Sequence, residues 1–78
     1  MAHYLVIGGS TGRRFSRHGR PVEATAEEAK IPAISLASLA AHIVSKNEKE
    51  RASVWKIEGG REAEVAVYFP EIKEGGAS

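Results

Sequence analysis

At 78 residues the chain is short enough that folding hides only about 60% of the surface its unfolded form exposes, so its core must be thin. Eleven Lys and Arg stand against ten acidic residues, all of them Glu, for a formal net charge of +1; this excludes a uniformly basic histone-like protein and a uniformly acidic DNA mimic. With no Cys, a disulfide framework, a thiolate zinc site and a cysteine nucleophile are also excluded.

The first element in chain order is His3-Tyr4-Leu5-Val6-Ile7, a run of β-formers closed by Gly8-Gly9, which predicts a strand ending in a turn. Residues 10–20 are polar, basic and punctuated by Gly12 and Gly19, with Phe15 the one large apolar residue, and read as a loop or an irregular β-hairpin arm. Two readings stand for the next segment: alternation from Val22 predicts a strand, while Thr25 with Glu28 at capping-box spacing predicts a short helix over 26–30. After Pro32, Ser35 has the chemistry of a helix N-cap. Leu36, Leu39, Ala40, Ile43 and Val44 repeat at helical spacing as the expected core face, with Ser38, His42, Ser45 and Lys46 outward. The charged run 46–51 ends that pattern. A hairpin follows, 53–58 and 62–69 about Gly59-Gly60. Trp55, Ile57, Val65, Val67 and Phe69 are expected on the core side, which leaves Val54, Ala66 and Tyr68 on a face that a second subunit, as a homodimer, or another partner could cover, or that residues 21–34 could cover. The expected fold is α+β, a two-layer sandwich of one main helix on an antiparallel sheet of three to five strands, formed by a single domain over 1–70 with a flexible tail over 71–78.

The balanced charge conceals an uneven distribution. Residues 1–22 hold Arg13, Arg14, Arg17 and Arg20 and no acid, whereas the rest of the chain holds seven Lys and Arg and ten Glu, so an arm of +4 is joined to a body of −3. Arg suits phosphate and carboxylate recognition because its planar fork binds both bidentately. Arg13, Arg14, Arg17 and Arg20 are therefore the expected binding residues toward a protein partner or a phosphate, with Phe15 placed to stack on an unpaired base. The alternative is that these arginines pair with the Glu-rich body or stay solvated.

Other chemistry is weaker. Gly8-Gly9-Ser10-Thr11-Gly12 fits G-x-S-x-G with Ser10 as nucleophile, but the helix that must follow such an elbow is missing, the chain has no Asp, and nothing places a His base. The dinucleotide G-x-G-x-x-G and the phosphate-loop G-x-x-x-x-G-K-[ST] are both absent. His3, His18 and His42 have no metal-ligand spacing. The expectation is a protein with no catalytic residues, no metal and no cofactor. The N-terminus lacks a secretory pattern, and Ile31 to Val44 is interrupted by Pro32, Ser35, Ser38 and His42, so neither export nor a membrane span is expected and the cytoplasm is the expected location.

The order of a strand at His3–Ile7, a polar arm, one helix at Ser35–Lys46 and a hairpin at Ser53–Phe69 resembles the small phage-encoded anti-CRISPR proteins that act on multisubunit type I effector complexes. The resemblance spans about residues 3–69 in organisation and carries no shared motif. It implies a phage or mobile-element protein working in the host cytoplasm, without catalysis, by occluding a surface where target DNA or a nuclease docks. The cationic arm departs from the acidic members of that group and implies contact with an acidic protein groove or with nucleic acid held in the nucleoprotein complex. A free-standing nucleic-acid-binding module built on Arg13–Arg20 is the alternative.

Overall fold

The structure, a computed structural model, describes residues 2–9 and 11–70; Ser10 and the expected tail over 71–78 lie outside the described residues. Five strands form one antiparallel sheet: β1 (His3–Gly8), β2 (Arg14–Phe15), β3 (Pro21–Val22), β4 (Ala52–Glu58) and β5 (Arg61–Tyr68), in the spatial order β3-β2-β1-β4-β5. A single α-helix, α1 (Ile34–Asn47), packs on this sheet, which makes the fold α+β as expected. Among the described residues no helix is long and apolar enough to cross a membrane.

The segment between β3 and α1 combines both sequence readings. Pro21–Val22 pairs with β2, and Glu27–Ala29 forms one turn of 3₁₀ helix, whose N-cap is Ala26 with no side-chain hydrogen bond. The chain then returns to β1: the Tyr4 amide donates to the Ile31 carbonyl at 2.7 Å and the Ile31 amide to the Tyr4 carbonyl at 2.9 Å. Ile31 is fully buried by this bridge. Helix α1 starts two residues earlier than a Ser35 cap would require. Its N-cap is Ala33, which offers no side-chain acceptor, so Ser35 sits inside the first turn.

The helix presents a different face to the sheet from the one its largest residues mark. Ala37, Ala40, Ala41 and Val44 are fully buried and Ser45 nearly so, whereas Leu39 is 55% exposed and Ile34 46%. The buried set repeats at i, i+3, i+4 and i+7, the same periodicity rotated by one position. Three alanines on that line let the helix approach the strands closely. Leu36 packs against the flank of the core, and Ser45 is tolerated inside because its hydroxyl donates to the His42 carbonyl at 2.8 Å.

The register and the burial together identify the face of the sheet that α1 covers. Across the ladder, Phe15, Val6, Val54 and Ala66 stand in one row, and Gly8, Ala52 and Tyr68 in the next alternate row. Phe15, Val6, Val54 and Ala52 are fully buried beneath α1, and Ala66 and Tyr68 pack at their edge. The expected assignment of the hairpin faces is therefore reversed. Trp55, Ile57 and Val67 do share one face, but it is the face turned away from α1, and Val54, Ala66 and Tyr68 belong to the core. The alanine line of α1 meets Val6 on β1 and Val54 and Ala52 on β4, while the larger Phe15 is buried one strand over, on β2. Val65 and Phe69, expected in the core, are 41% and 69% exposed, and the ladder shifts by one residue at Val54/Trp55, a bulge that accommodates Val65. The Gly59-Gly60 turn is as expected, with both φ angles positive (59° and 81°), the requirement of a two-residue hairpin.

Candidate binding surface on the basic arm

The arm is a hairpin closed by one serine. The Ser16 amide donates to the Arg20 carbonyl at 2.8 Å, the Gly19 amide donates to the Ser16 carbonyl at 2.9 Å, and the Ser16 hydroxyl oxygen accepts from the amides of His18 at 3.2 Å and Arg20 at 3.3 Å. Ser16 is buried, so it organises the loop from inside while Arg17, His18 and Arg20 are displayed to solvent. Ser16→Ala removes an acceptor for two amides; it is expected to lower unfolding free energy by about 1–2 kcal/mol in chemical denaturation.

Gly19 fixes the arm to the body. Its φ is +80°, and a Cβ there would lie 2.8 Å from Ile43 Cγ2 and 3.8 Å from the Ala40 carbonyl oxygen, so the loop backbone rests directly on α1. The far wall comes from the segment before the helix, which the Tyr4–Ile31 bridge holds beside the arm. Between the two walls lies an open cleft of about 890 Å³, bounded by Arg17, His18, Arg20, Pro21 and Val22 on one side and Glu27, Glu28, Lys30 and Pro32 on the other.

The structure thus divides the residues grouped by the sequence. Arg17 and Arg20 meet at the cleft. Arg13 and Arg14 lie at the other end of β2: the Arg13 amide donates to Thr11 Oγ1 at 3.3 Å, the Arg14 guanidinium donates to the Gly12 carbonyl at 3.1 Å, and neither residue lines the cleft. Phe15 is a correction. It is fully buried between the strands and α1, because β2 alternates and its register partner Val6 faces the helix, so it cannot stack on a base. Lys30 is the cation that the sequence assigned to the anionic body and the fold returns to the arm. The signal for it was Ile31, an isolated apolar residue between Lys30 and Pro32 that needs a partner to bury it.

The electrostatics are those of unpaired charge. Among the described residues Lys56 and Glu58 form an ion pair at 3.3 Å, and Arg13, Arg14, Arg17, Arg20 and Lys30 have no carboxylate oxygen within 4.0 Å. The self-paired arm therefore does not occur as direct contacts among these residues. Glu27 and Glu28 limit the positive field at one wall, so the cleft suits an extended anionic surface that meets Arg17, Arg20 and Lys30 while avoiding those two carboxylates. No family model, curated protein or solved structure matches the chain.

Proposed function

We propose that this chain is a small non-enzymatic binding protein, of phage or mobile-element origin, that occludes a type I CRISPR effector complex in the manner of the anti-CRISPR proteins it resembles. Its contact surface is the cleft carrying Arg17, Arg20 and Lys30. The observation that carries the reading is that these exposed cations have no ion-pair partner among the described residues, while Ser16 and Gly19 hold the backbone of Arg17 and Arg20, and the Tyr4–Ile31 bridge that of Lys30, in one geometry. Unpaired arginines on an ordered loop meet an anionic partner with little further ordering cost. Burial of Phe15 takes the base-stacking platform away from the nucleic-acid-module reading and leaves it backbone phosphate contacts alone.

The test uses a purified type I effector complex and its target duplex in a binding-competition assay. The wild-type protein is expected to displace or block target DNA. The R17E/R20E/K30E variant is expected to need about tenfold more protein or greater for the same effect, since charge reversal creates like-charge contacts. Full target binding at saturating wild-type protein overturns the reading. Binding of free duplex, with a log–log salt slope near −0.9 per phosphate contacted, supports the nucleic-acid module in its place.

A further inference from the structure

The sheet face turned away from α1 carries a second surface. Strand alternation puts Leu5 and Ile7 of β1, Trp55 and Ile57 of β4, and Val67 of β5 on it, all only half-buried, while their neighbours Val6, Val54 and Ala52 on the helix face are fully buried. The patch is flanked by opposite charges. Arg14, opposite Ile7 in the ladder, lies on its β2 side; Glu62 and Glu64, opposite Ile57 and Trp55, lie on its β5 side. None of the three has an ion-pair partner among the described residues.

We infer that this face is the interface of a homodimer, in which Arg14 of each subunit meets Glu64 of the other across the shared Leu5–Ile7–Trp55–Ile57–Val67 patch, with Glu62 adding negative charge one row further along β5. The charge pattern selects the second copy and its orientation. A two-fold axis parallel to the strands, between β1 and β4, lays β1 over β4 and β2 over β5, so each basic edge covers an acidic one and the apolar centres coincide. An axis across the strands stacks β5 on β5 and sets Glu62 and Glu64 against themselves. Arg14 shares a row with Ile7, and Glu64 lies in the row of Leu5, one strand repeat of about 7 Å away. The side-chain length of arginine and the roughly 30° rotation of aligned sheets span that offset. Strand β3 and the arginine cleft fall beyond the covered strands, so this inference does not rest on the proposed function. A face of about four strands is small beside the roughly 1,200–2,000 Å² that stable interfaces bury, so the dimer is expected to form in a concentration-dependent way.

Sedimentation equilibrium over about a hundredfold range of concentration tests it. The expected result is a monomer–dimer equilibrium whose dissociation constant rises about tenfold or more in R14E and in E62R/E64R, because each contact occurs twice. The combined R14E/E62R/E64R variant restores it to within about threefold. A monomer mass at every concentration overturns the inference. A dimer indifferent to both single-sided variants, or one that the combination does not restore, overturns it equally.

Discussion

Phe15→Ala is expected to lower the unfolding free energy by about 3–5 kcal/mol, the range for emptying a fully buried aromatic site. For a domain of this size, that is most or all of its stability. The side chain has no exposed surface and stands in a row with Val6, Val54 and Ala66 on the helix side of the sheet, where β2 also meets the 3₁₀ turn Glu27–Ala29. Urea denaturation followed by Trp55 fluorescence measures it, with the midpoint falling and the slope unchanged if both end states keep their compactness. A shift within about 0.5 kcal/mol, the ordinary result for a surface residue, would place Phe15 outside and restore its role as a stacking group.

Gly19→Ala is expected to be of similar severity, at about 2–5 kcal/mol, because two independent penalties coincide. A residue with a Cβ at φ +80° carries a left-handed strain of about 1–2 kcal/mol. The new methyl would also sit 2.8 Å from Ile43 Cγ2, which forces the arm off the helix or the helix off the sheet at an overpacking cost of about 1–3 kcal/mol. Gly12→Ala separates the two effects. Gly12 has a similar φ of +73°, and a methyl added there would meet nothing within 4 Å, so this variant is expected to show the conformational penalty alone. Equal losses in the two variants, measured by the same denaturation, would mean that the arm is not seated on α1.

The elements of this fold were legible where local chemistry decides them. The β1 run, the Gly59-Gly60 turn and the existence of one helix, from the periodicity over 36–44, each follow from residue type and spacing. The assignment of faces was not, for one physical reason. Hydrophobic size marked Leu39, Trp55 and Val65 as core, but the alanine line 37–40–41–44 of the helix seats on the face of β1 and β4 opposite Trp55, and that depends on two elements meeting in space. The phase of β2 is a similar case: two residues are too few to show alternation, so only pairing with Val6 and Ile7 sends Phe15 inward and Arg14 outward. At the cleft, the arginine cluster was visible as charge in sequence, while Lys30 joined it through a bridge between residues 4 and 31 that no local pattern reports.

The claim that binding resides in the cleft, and not in the charge of the molecule as a whole, is tested by two variants of equal net charge. R17E/R20E/K30E reverses the cleft, and K46E/K56E/R61E reverses three cations outside it. Both are compared with wild type for blocking target DNA binding by the purified type I effector complex, at one fixed salt concentration. The account predicts that the first variant loses blocking by about tenfold or more while the second stays within about threefold of wild type. Equal losses in the two variants would contradict it, and so would full blocking by the cleft variant.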